Sequence, residues 1–160
     1  MQRPWVRGVC LVIVLGAGFD ASGQTPQSPP PAAPAAAAEA APTEETLGIP
    51  IYPSAQFLRS YDAGRGQRFY LFGVLAGFDE MVAYYRTILR QRGTVVFERP
   101  ATHTFDVGRF RSESMAFQPG VTIKDFASGG RGGFPNPTPG AQPERFPTII
   151  QIVPAPAMPR

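Results

Sequence analysis

The sequence predicts an α+β two-layer sandwich, with one amphipathic helix on a mostly antiparallel sheet of five to six strands. Three observations predict it. One stretch, 78–92, carries helical periodicity. Short aromatic or β-branched runs precede and follow it. Prolines crowd both ends of the folded region and spare its middle. Eight lie between Pro26 and Pro53 and eight between Pro135 and Pro159, but only Pro100 and Pro119 fall between Leu58 and Gly133.

The elements follow in order. Pro50-Ile51-Tyr52-Pro53 is an extended lead-in, since each proline fixes its own φ and biases the preceding residue to β. Residues 56–62 (QFLRSYD) and 67–73 (QRFYLFG) are aromatic strands around Ala63-Gly64-Arg65-Gly66, a connection of hairpin length. In the second strand Phe69, Leu71 and Gly73 alternate with Tyr70 and Phe72, so both faces expect cover. The helix follows: Phe78, Met81, Val82, Tyr85, Ile88 and Leu89 share one face. Asp79 and Glu80 fall in its first turn and Arg90 and Arg92 in its last, which suits the macrodipole, and Gly93 is placed to stop it. Arg86 and Arg90, at i,i+4 on the opposite face, are expected to be solvated.

Beyond the helix, 94–98 (TVVFE) reads as a strand stopped by Pro100, and 103–107 as a short strand or loop. Residues 114–117 and 121–126 flank Gln118-Pro119-Gly120, a turn signal that predicts a second hairpin. A long irregular stretch, 127–147, precedes the β-branched strand 148–153 (TIIQIV). Loops of that length are functional or disordered. Prolines at 154, 156 and 159 end the sheet and leave 155–160 as a tail.

Ahead of the domain lie two segments with no core-forming pattern. Arg3 and Arg7, the apolar run 9–17 (VCLVIVLGA) and the small residues Ala21-Ser22-Gly23 follow one another as the three parts of a secretory signal. The expectation is a signal peptide over 1–23, cleaved before Gln24, and an exported protein, periplasmic or secreted. An uncleaved N-terminal membrane anchor is the alternative. Residues 24–47 are Pro/Ala-rich, lack aromatics and read as a disordered linker, leaving 48–154 as the single domain. The only cysteine, Cys10, sits in the signal. Disulfides, thiolate chemistry and cysteine-based metal sites are thereby excluded from the exported domain.

The opening Pro50-Ile51-Tyr52-Pro53-Ser54-Ala55, the hairpin after it, and the helix pattern Tyr84-Tyr85-x3-Leu89-x3-Gly93 resemble a recurrent class of small exported bacterial proteins. That class shares a P-x-Y-P-x-A opening and an aromatic-Tyr-x3-Leu-x3-Gly helix leading into a strand. The resemblance spans 49–97. It departs at Thr94, where members of the class often carry Trp. It implies a domain of unknown function in a bacterial envelope or secretome, and it assigns no catalytic residue.

Chemistry-bearing residues are sparse. His103 is the only histidine. Asp106 lies three residues on, and Glu98 and Glu113 are nearby, but an Asp–His pair without a nucleophile is no mechanism, and a lone histidine does not make a His-based metal site. The acidic residues Asp62, Asp79, Glu80, Glu98, Asp106, Glu113, Asp125 and Glu144 show no calcium-loop or metal spacing. No cofactor motif is present. Residues 128–134 (SGGRGGF) contain one RGG unit, too little to imply nucleic acid. From Gly48 on there are 13 basic and 8 acidic residues, a mild excess that favours anionic partners slightly.

The pattern therefore favours a non-enzymatic binding module over an enzyme, its partner an envelope protein or an apolar ligand. The membrane enters only if the signal is retained. Tyr52, Tyr70 and Tyr84 fall off the main apolar stripes, and Arg131, Phe134, Arg145 and Phe146 lie in the long loop; together they form the expected contact surface. The alternative is an envelope hydrolase using scattered carboxylates or His103.

Overall fold

A computed structural model describes residues 39–156. The expected signal peptide, the linker up to residue 38 and the last four residues lie outside them. The described residues belong to one unit and build a six-stranded sheet with a helix across one face. In chain order the elements are α1 (Glu44–Leu47), β1 (Gln56–Gly64), β2 (Gln67–Val74), α2 (Phe78–Ile88), β3 (Thr94–Glu98), β4 (Ala101–Asp106), β5 (Gly120–Asp125), a 3-10 turn (Ser128–Gly130), β6 (Phe134–Pro135), β7 (Arg145–Phe146) and β8 (Thr148–Val153).

The sheet order is β1-β2-β8-β5-β4-β3, and every neighbouring pair is antiparallel. The α+β two-layer architecture is thus the one the sequence predicts. The C-terminal strand β8 enters between β2 and β5. Five of its six residues are buried, as befits a run of Thr, Ile and Val in a central strand. The β1–β2 hairpin turns on Arg65 (φ 53°) and Gly66 (φ 72°). Two consecutive positive-φ residues match the twist of the flanking strands.

On the helix face, Met81, Val82 and Tyr85 of α2 meet Phe72, Val74, Phe105, Val121, Ile123, Ile150 and Ile152, all buried. The predicted apolar stripe is the one that packs. The helix ends earlier than expected, with Leu89 as its C-cap. Arg90 takes the left-handed conformation (φ 53°), and the amide N–H groups of Arg90 and Gln91 turn back to the carbonyls of Thr87 and Arg86. Gly93 is required for a different reason. Its φ is +69°, and a Cβ there would lie 2.4 Å from Nε2 of His103 and 2.7 Å from the Thr104 carbonyl oxygen.

Two further expectations are corrected, and the long loop proves ordered. The fold takes in residues that composition assigns to the linker: Thr43 caps the short helix α1 through its side chain, Leu47 is 2% exposed within the core, and Glu39 pairs with Arg68 at 2.9 Å. One large apolar side chain, with a cap and an ion pair, is enough to fix a polar-looking segment. Residues 114–117 form no strand. β5 pairs instead with β4 and β8, and the long connection between β4 and β5 is pinned by Gln67, whose side chain accepts from the N–H groups of Ala116 and Phe117 and donates to the Phe117 carbonyl. Loop 127–147 is folded. β6 and β7 pair with each other, Asn136 N–H donates to the Glu144 carbonyl, and Phe126 meets Phe134 edge-on at 5.2 Å.

These two loops supply the cover that β2 needs on its second face. Met115 is buried. Phe146 lies on Gly73, where a Cβ would stand 2.4 Å from the ring. Between the loops runs a strip that includes Thr104, Thr122, Lys124 and Gln151.

Candidate functional site

The seven residues expected to form one contact surface separate into three groups. Tyr52 and Tyr84 come together, ring centroids 5.0 Å apart and perpendicular. The Tyr52 hydroxyl donates to Glu80 at 2.8 Å, and that bond is the chief reason its pKa is raised. Burial raises the pKa of Tyr84, whose ring also meets Tyr85 at 5.1 Å. Tyr85 is buried and donates to the Pro50 carbonyl at 3.2 Å; burial raises its pKa strongly. The tyrosines thus clamp the 49–55 segment onto α2. Tyr70 stands apart, half-buried beside Phe57 at 6.5 Å.

In the long loop, Phe146 is 1% exposed and is a core residue of the second face, not a contact residue. Arg145 turns inward on its own loop, donating to the carbonyls of Gly132, Gly133 and Arg131. Phe134 is half-buried against Phe126. Of the four loop residues, only Arg131 has an exposed head without a hydrogen bond or ion pair among the described residues.

His103 is buried, lies 4.8 Å from the Phe105 ring, and its Nε2 is 2.8 Å from the Arg92 carbonyl oxygen. It faces the helix side with Phe105. Asp106 is an odd number of residues away on the same strand and points to the other face. The drawn Asp–His pair does not form. Among the described residues no group of three or more His, Cys, Asp or Glu side chains is placed to hold a metal ion, and no helix is long and apolar enough to cross a membrane. Lys124, the only lysine, is half-buried on the second face, donates to Gln151 at 3.0 Å, and has its pKa lowered by burial.

Two features that residue patterns do not single out stand at the β3 end of the sheet. The first is an apolar margin. Val95, Val96 and Phe97 are 61%, 47% and 61% exposed. Val95 pairs with His103 and Phe97 with Thr102, so the two side chains lie on opposite faces, with Val96 at a bulge between them. The pattern of TVVFE reads as an ordinary strand, and only the sheet order reveals that it is an edge.

The second is a cleft of about 420 Å³ between the β3–β4 turn and the loop after β5, lined by Glu98, Arg99, Pro100, Ala101, Asp125, Ser128, Gly129 and Arg131. Asp125 is buried, and its carboxylate is occupied by its own loop. Oδ1 accepts from the N–H groups of Ala127 (2.8 Å) and Ser128 (3.2 Å), and Oδ2 accepts from the Ser128 hydroxyl. Burial works to raise its pKa. The Ser128 hydroxyl, those two N–H groups and the nearby Arg131 outweigh it and hold the pKa below the ordinary value.

No family model matches the chain, and no curated protein or solved structure shows a match to it.

Proposed function

We propose that this protein is an exported, non-enzymatic interaction module of the cell envelope that binds a partner protein at its β3 margin. The exposed trio Val95, Val96 and Phe97 carries the reading. Three large exposed apolar side chains in a row on the free edge of a sheet are what an interface core looks like before its partner arrives. The bulge at Val96 interrupts the edge ladder, which disfavours simple strand addition. The partner therefore packs on the side chains themselves. Exposed Arg92 and Arg99 flank the strip, with Glu98 between them, so the complementary surface is apolar at its centre and mildly acidic at its rim. Export rests on the pattern of residues 1–23, and the envelope location on the resemblance carried by 49–97.

Phe97→Asp places a charge in the strip without touching the core. A tagged full chain is expected to recover one discrete protein from envelope extract. Phe97→Asp should lose it, and Arg59→Glu, on the opposite edge strand, should keep it. Equal recovery by wild type and Phe97→Asp would contradict the proposal. Self-association of the purified chain, abolished by Phe97→Asp, would replace the partner with a second copy.

A further inference from the structure

The cleft beside the apolar margin is a second, chemically distinct feature. Its volume of about 420 Å³ falls within the range of small-molecule pockets, about 300–1,000 Å³. Four charged side chains line it, and their states differ. Asp125 is satisfied by its own loop and serves to hold residues 127 and 128 in place. Glu98, Arg99 and Arg131 are all exposed, and none has a hydrogen bond or ion pair among the described residues. The cleft thus gathers two guanidinium groups and one carboxylate that make no hydrogen bond or ion pair among the described residues, with Arg131 also close enough to Asp125 to feel its charge. Pro100 and Ala101 add an apolar patch to the wall.

Guanidinium groups recognise planar oxyanions through paired N–H donors. A ligand with only negative charge would satisfy Arg99 and Arg131 but meet repulsion from Glu98 and Asp125. A ligand with only positive charge would meet the reverse. The arrangement is complementary to a molecule that carries both charges. We propose that this cleft binds a small zwitterion of the amino-acid or short-peptide class, its carboxylate on Arg99 and Arg131 and its ammonium group on Glu98. The site shares Glu98 and Arg99 with the rim of the β3 margin, and Phe97→Asp replaces neither of them.

The test is an NMR titration of the full chain with alanyl-alanine, its N-acetyl derivative, its C-terminal amide and inorganic phosphate, reading the amides of Ala101, Gly129 and Arg131. Alanyl-alanine is expected to shift these signals with a Kd of about 1 mM or tighter. Acetylation or amidation should each weaken binding by about tenfold or more. Arg131→Ala should weaken alanyl-alanine to a similar degree, while Glu98→Gln should weaken alanyl-alanine but not the N-acetyl derivative. The amide spectrum itself reports that each variant is folded. The proposal is overturned if no probe shifts the cleft signals at about 10 mM, tenfold above the expected Kd, or if phosphate or the acetylated peptide binds as tightly as alanyl-alanine.

Discussion

Gly73 has no side chain, and the Phe146 ring fills the space where a Cβ would stand, 2.4 Å away. This contact helps seat the long loop on the sheet. Gly73→Ala forces the ring out of place and is expected to cost about 1–3 kcal/mol, measured by chemical denaturation. Phe146→Leu should recover part of that loss in the double variant, because the smaller side chain leaves room for the methyl. Asp125 acts on the same scale. Its pKa is held below the ordinary value of 3.8, so the stability it contributes is fully present above that value and is lost as pH falls through the lower folded-state pKa. Asp125→Asn should therefore cost about 1–2 kcal/mol at neutral pH. The gap between variant and wild type should close in acid, below 3.8. A gap that persists unchanged to low pH would mean the contribution is not the ionised carboxylate. Thr148 makes the opposite prediction. Its hydroxyl is fully buried and has no hydrogen-bond partner among the described residues. Thr148→Val is expected to raise stability by about 1 kcal/mol, read in the same denaturation series.

Among the elements, α2 was legible because its apolar period of 3.6 coincides with the stripe it buries, and β8 because five of its six residues are β-branched. The element that composition hides is α1. Its sequence, Thr43 followed by EETL, looks like linker, and its weight comes from one side chain, Leu47, whose burial depends on a core built from distant residues. Leu47→Ala should cost about 2–3 kcal/mol, and a chain that begins at Gly48 should melt earlier than one that includes Glu39 and α1. The expected 114–117 strand failed for the converse reason. The local turn signal at Gln118-Pro119-Gly120 is real, but β5 finds its partners in β4 and β8. The amide pair Ala116 and Phe117 is held instead by the side chain of Gln67, a long-range contact with no local trace. The tyrosines show the same limit. Tyr52 and Tyr84 do meet, yet they fasten the 49–55 segment to the helix, and Tyr70 joins neither.

At the scale of the whole molecule, the sheet order decides what is exposed. With β8 drawn into the centre, β1 and β3 are left as edges. The β1 edge is met by Glu39, whose carboxylate accepts from the Ser60 amide and hydroxyl and from Arg68. The β3 edge has no such cover among the described residues, and its three apolar side chains stay in water. The proposed binding surface therefore lies where topology leaves a strand unfinished. A photo-activatable residue placed at Val96 of the full chain, expressed in its native host, tests this most directly. The account predicts one discrete cross-linked adduct from position 96 and none from Arg59 on the opposite edge. No adduct at 96, or the same set of adducts from both positions, would contradict it.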